Sequence, residues 1–174
     1  MGLAIHYMGG EQCTNDKAVL KKVRDKLVDA KPHWLSLSYG NIEAFAKNDI
    51  SAGIYWNGAS FRARLQNGDI AFGYPQEGFP IWMDNAAVLA DAGNPDNAKA
   101  FLNFIMAPGN AAMISNFARY AKGIASSEEF MAEDMATAPE VVIPSALKAA
   151  GYIAKTCDPA TQEIYSQIWT ELTK

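Results

Sequence analysis

Between residues 34 and 88, short apolar runs of strand character alternate with stretches of helical periodicity, and that alternation restricts the chain to an α/β architecture. Trp34-Leu35-Ser36-Leu37-Ser38 alternates apolar and polar residues. Asn41 to Asn48 follows as a short helix with Ile42, Phe45 and Ala46 on one side. Ile50 to Trp56 is the next strand, Gly58 to Leu65 a helix, Ile70 to Tyr74 a strand closed by Pro75, and Ile81 to Val88 a further strand-like run. Ahead of this region, Leu3 to Met8 ends at Gly9-Gly10 in the manner of a helix terminus. Asn15 or Asp16 then caps a helix to about Ala30, with Val19, Leu20, Val23, Leu27 and Val28 at helical spacing. Lys17, Lys21, Lys22, Arg24, Asp25 and Lys26 make its solvated face.

Beyond Val88 the pattern is helical. Asn94-Pro95 begins a helix to Met106, with proline at a favoured first position. Ala107-Pro108-Gly109 breaks it and starts another to about Ala118. Met131 to Pro144 reads as loop, and Ser145–Ala154 and Pro159–Leu172 as two final helices. Ile164, Tyr165, Ile168, Trp169 and Leu172 form a buried stripe on the last. The change of character places a boundary near residues 76–80.

Composition excludes several classes. The 174 residues suffice for one ordinary core, and 15 basic against 19 acidic residues give a net charge of −4. Without a basic cluster, neither nucleic acid nor an anionic membrane is a suitable partner. The longest apolar block, Ile81–Ala90, is interrupted by Asp84 and Asn85, so no segment qualifies as a membrane span. Met1 to Ile5 has neither the basic start nor the cleavage site of a signal peptide. Taken alone this suggests a cytoplasmic protein, although a chain cut from a longer precursor reads the same way. Cys13 and Cys157 lack CxxC spacing, which argues against a metal or thioredoxin-like site. They are expected to be separate structural cysteines, with a mutual disulfide as the minority reading.

Catalytic constellations are missing from the sequence. The two histidines, His6 and His33, have unrelated contexts, and no GxSxG, GxxxxGK or GxGxxG pattern is present. No enzyme is expected; a hydrolase using carboxylates is the form an exception would take. The informative residues are aromatic. Trp56 closes an apolar run before the Asn57-Gly58 turn, where α/β folds bind ligands. Its alternative is a tryptophan packed under the following helix. Trp82 and Asp84, two apart on a strand-like run, would share one face. An indole beside a carboxylate suits an organic ammonium ion, through cation–π attraction and a charge-assisted hydrogen bond. The alternative there is a capping Asp beside a core Trp.

The runs Ile54-Tyr55-Trp56-Asn57-Gly58, Tyr74-Pro75-Gln76-Glu77-Gly78, Ile81-Trp82-Met83-Asp84-Asn85, Asn97 to Pro108, and Ile164-Tyr165-Ser166-Gln167-Ile168-Trp169 occur in order along the chain. Together they resemble the periplasmic polyamine-binding proteins (spermidine/putrescine type) of ABC importers, C-terminal half. The resemblance implies an α/β, type II periplasmic binding protein-like fold in which two lobes close on a ligand. By that resemblance residues 1–78 form part of the second lobe, 79–83 a hinge crossing, and 84–174 the mainly helical C-terminal part of the first lobe. It implies periplasmic location, a signal peptide in the precursor, a membrane permease as partner, no cofactor and no metal.

Its site residues carry over to Trp56, Trp82 and Asp84 as ligand-stacking and amine-binding positions, and to Tyr120 as an aromatic closing the pocket. Lys155 stands where some members place a polar contact. A cation there repels a diamine, so either Lys155 points away or the ligand also carries a carboxylate. Arg62 would reinforce the second option, although an exposed helical arginine is its simpler reading. The expected ligand is putrescine or spermidine, with γ-aminobutyrate or an opine as the alternative. Exposed sheet edges on such a half also lead us to expect a homodimer, or a non-binding lobe that self-associates.

Overall fold

A computed structural model describes residues 1–174, and these cluster into two compact units. Unit 1 comprises Met1–Gly40, Tyr74–Trp82 and Ala146–Lys174; unit 2 comprises Asn41–Gly73 and Met83–Ser145. Neither unit is continuous in sequence. The cause is pairing between distant segments: the C-terminal helix docks on the N-terminal ones, and the only sheet joins residues near 80 to residues near 152.

In unit 1, α1 (Gly2–Tyr7), α2 (Lys17–Ala30) and α7 (Pro159–Thr173) build one core. Ile5, Leu20 and Val23 are buried, and Val19, Leu27, Ile164, Tyr165 and Ile168 pack against them. Asp16 is the cap of α2, its carboxylate accepting the Ala18 N–H at 2.7 Å and the Val19 N–H at 3.3 Å. The helix's charged face is less solvated than expected at one point, because Arg24 forks onto Glu171 of α7. The α7 stripe also needs amendment: Leu172 is buried, but Trp169 remains exposed.

The sheet of unit 1 is small. β1 (Phe79–Ile81) pairs in parallel with β2 (Gly151–Ile153), Phe79 opposite Gly151 and Ile81 opposite Ile153. The expected helix at 145–154 is therefore a short 3-10 helix (Ser145–Ala150) followed by a strand. Gly151 interrupts the helix and Tyr152-Ile153 suits a pleat. Gly78 precedes β1 with φ +122°, and a Cβ there would meet the His6 imidazole at 2.5 Å. That imidazole donates from Nε2 to the Glu77 carbonyl at 2.7 Å.

Cys13 and Cys157 are joined in a disulfide, against the expectation of separate cysteines. Sequence spacing could not show this, because the bond spans a separation of 144 residues. Gln12 braces the same place: its amide donates to the Ile153 carbonyl at 3.2 Å and accepts the Lys155 N–H at 2.9 Å.

Unit 2 holds α3 (Ile42–Ala46), α4 (Asn57–Gln66), α5 (Pro95–Ile105) and α6 (Pro108–Ala118), each close to its expected bounds. Its core is Phe61 of α4 with Met135 and Ala138, packed by Met131, Ala132 and Val141. The loop-rich 131–144 segment thus supplies every residue of that core except Phe61. The runs at 34–38, 50–56, 70–74 and 82–88 carry no sheet pairing, contrary to the expected strands. A strand exists only where a neighbour completes its ladder; Leu35 and Ile54, at 76% and 89% exposure, have no core face to turn to.

Candidate functional site

The N-terminal end of α4 carries Trp56, and the Tyr120 ring rests against it. Trp56 is the N-cap residue in extended conformation, and its carbonyl accepts the Ser60 N–H at 2.8 Å and the Ser60 hydroxyl at 3.0 Å. Trp56 is 42% exposed. Tyr120 covers the same end. A Cβ on Gly58 would lie 2.6 Å from the Tyr120 ring, so only glycine lets the ring rest on the backbone there. The Ala59 backbone hydrogen-bonds the Tyr120 hydroxyl.

Several charges converge on that hydroxyl. Burial pushes the Tyr120 phenol above its ordinary value; Arg62 and the Ala59 hydrogen bond oppose this, while Tyr55 and Asp84 add to it. Arg62 is not the exposed helical arginine of its simpler reading. It is half-buried, and its guanidinium donates to the Ala118 carbonyl at 2.8 Å. That carbonyl lies in the last turn of α6, where no helical partner exists. Arg119 then adopts the left-handed conformation (φ 63°) and turns the chain so that Tyr120 leaves the helix axis. Two hydrogen bonds from Arg119 to Asp134, 2.8 and 2.9 Å, hold the turn.

Trp82 and Asp84 are both exposed, but no paired strand runs through them. Their expected common strand face is therefore not present, and Trp82 belongs to unit 1 while Asp84 belongs to unit 2. Lys155 is exposed in unit 1. Trp56, Arg62, Asp84 and Tyr120 thus fall in one unit, and Trp82 and Lys155 in the other.

Three contributors escaped the sequence reading. The Tyr55 hydroxyl accepts the Asn41 N–H at 3.1 Å, and its ring lies 5.9 Å from Phe45. Asn57 donates from Nδ2 to the Glu140 carbonyl at 2.8 Å. Glu140 itself is buried and takes two hydrogen bonds from Arg64, at 2.6 and 2.8 Å. Tyr55 and Asn57 flank Trp56 and could have been found by adjacency. Glu140, a lone acid in a loop, gave no signal.

Chemically, the α4 terminus offers an exposed indole, a phenol and a guanidinium, and the charge of Asp84 acts on that phenol. Helix N-termini carry partial positive charge, so Asp84 is the group that would counter an ammonium ion. Two open depressions, along α7 from Pro159 to Lys174 and beside Lys31–Leu37, include none of these residues. No group of three or more His, Cys, Asp or Glu is placed to hold a metal ion.

Residues 1–142 match the family described as "Bacterial extracellular solute-binding protein". A putrescine-binding periplasmic protein of Escherichia coli is 31% identical over 137 residues, covering 75% of this chain and 37% of the relative. A putrescine/agmatine-binding protein of Pseudomonas aeruginosa is 20% identical over 99% of this chain and 49% of its own length. A spermidine/putrescine-binding periplasmic protein of Haemophilus influenzae is 23% identical over 83% of this chain and 40% of its own length. The chain spans half or less of the length of each of these relatives.

Proposed function

The chain belongs to the bacterial extracellular solute-binding protein family, and from that premise we propose that it is the C-terminal portion of an extracytoplasmic binding protein for a small amine, putrescine or spermidine first. The observation that carries this reading is the α4 terminus, where half-exposed Trp56 and Tyr120 lie in one unit with the Asp84 carboxylate. In this reading Trp56 stacks on the ligand's methylenes and attracts its charge, Asp84 accepts from the ammonium, and Tyr120 closes over them. Trp82 and Lys155, in unit 1, remain ligand-binding candidates by the family resemblance. The relatives' names support the ligand class.

Arg62 favours a second ligand within the same class of protein. Its charge reaches the Tyr120 hydroxyl, so a solute with both carboxylate and ammonium, such as γ-aminobutyrate or an opine, would also find partners. Calorimetry with putrescine and γ-aminobutyrate in parallel decides between them. Heat of binding from putrescine alone supports the first reading; heat from γ-aminobutyrate alone replaces it with the second.

The proposal extends to a type II periplasmic binding protein fold in the whole protein, delivery to an ABC permease, and no catalysis. It places the protein in the periplasm, where the Cys13–Cys157 disulfide would persist. Assignment of 1–78 and 84–174 to different lobes is tested by limited proteolysis: first cleavage within 79–83 supports it, and first cleavage near 40, 73 or 145 supports division by compact units. Exposed Leu35 and Ile54 also support self-association; light scattering at monomer mass would exclude it.

A further inference from the structure

We propose that Glu140 is the positioning residue that sets the Trp56–Tyr120 end of α4, an inference that rests on the amine-binding reading above. Its side chain has no solvent exposure. Both carboxylate oxygens are taken by Arg64, whose Nε donates at 2.6 Å and whose Nη2 donates at 2.8 Å. Its backbone carbonyl accepts Asn57 Nδ2 at 2.8 Å. One residue therefore grips the first position of α4 and its last turn, about 10 Å apart along a helix.

Each grip leads to an aromatic of the site. Asn57 directly follows Trp56, so the carbonyl bond fixes where the indole leaves the helix. The Arg64 guanidinium lies 4.8 Å from the centre of the Phe61 ring, which the Arg119 guanidinium also approaches at 5.2 Å. Arg119 immediately precedes Tyr120 and is held in turn by Asp134. The chain Glu140–Arg64–Phe61–Arg119 thus ends one residue before Tyr120, which carries the phenol. An ion pair whose carboxylate is fully buried is a poor device for stability alone, because taking that charge out of water offsets much of the attraction. What the pair supplies is a fixed geometry at both ends of the helix.

The 174-residue chain carries the test. Tyrosine rings labelled with carbon-13 are followed by NMR, the Tyr120 signal being assigned by its loss in Tyr120→Phe. Glu140→Gln keeps the size and removes the charge; Asn57→Ala removes only the carbonyl grip. Both are expected to retain a cooperative melt while the Tyr120 signal moves and its alkaline midpoint falls toward that of an ordinary tyrosine. Putrescine affinity, read from the Trp56 indole signal, should fall by roughly 10-fold, the scale on which supporting residues act. If Glu140→Gln does not fold, Asn57→Ala is read alone. An unchanged Tyr120 signal in a folded variant overturns the proposal. Movement of Tyr120 without putrescine binding in the unaltered chain keeps the positioning role and overturns the amine reading instead.

Discussion

Tyr120 titrates in a field whose members oppose one another. Burial, Tyr55 and Asp84 raise its phenol, while Arg62 and the Ala59 hydrogen bond lower it. Removing the Arg62 charge as Arg62→Gln should therefore raise the Tyr120 midpoint further, and Asp84→Asn should bring it down. A raised phenol contributes stability fully below the ordinary tyrosine value and loses it as pH rises through the folded-state value. The Arg62→Gln chain should thus lose this contribution at a higher pH than Asp84→Asn. A pH titration of the Tyr120 ring by NMR checks both shifts; equal midpoints in the two variants would show that neither charge acts there. At this scale the sequence was a partial guide. Trp56 and Asp84 stood out as candidates because an indole and a carboxylate suit an ammonium ion. Tyr55 and Glu140 did not, since their importance comes from Asn41 and Arg64, partners 14 and 76 residues away.

Helices were legible as elements, and strands were not. The side-chain cap of Asp16 and the prolines that open α5 and α6, Pro95 and Pro108, mark helix starts that depend on local chemistry alone. The runs at 34–38, 50–56 and 70–74 have strand composition, but a ladder depends on a neighbour that periodicity cannot supply. The disulfide is the strongest non-local tie on α7. Cys157 stands two residues before the helix, so the bond to Cys13 anchors its start beside α1 and α2. The double variant C13S/C157S should lose about 3–5 kcal/mol of stability, measured as a lower thermal midpoint; an unchanged midpoint would mean that the packing of Ile164, Tyr165 and Ile168 suffices. Asp158 adds a pH-dependent contribution at the same place. Its carboxylate is held below the usual range, first by the Thr161 hydroxyl and then by the Thr161 N–H, at 2.6 and 3.0 Å. A depressed carboxylate stabilises above its unfolded-state value and loses that effect as pH falls through the folded one. The helical signal of α7 should accordingly persist at neutral pH and weaken only below the ordinary carboxylate range. Asp158→Ala should remove this acid-dependent step, as read by circular dichroism.

At the scale of the whole molecule, two discontinuous units share one chain that spans half or less of its relatives' length. The α/β character read from the sequence survives as a helix-rich chain with one two-stranded parallel sheet. Large apolar side chains stay exposed on the extended runs and on α5 and α6, including Leu35, Ile54, Phe101, Phe104 and Phe117. Unit membership also divides the expected site, leaving Trp56, Arg62, Asp84 and Tyr120 together. The central claim is that this group recognises an amine, and a nitrogen-15 NMR titration of the Trp56 indole with putrescine tests it most directly. The account predicts a saturable shift that Asp84→Asn abolishes. No shift, or the same shift on adding sodium chloride to equal ionic strength, would contradict it.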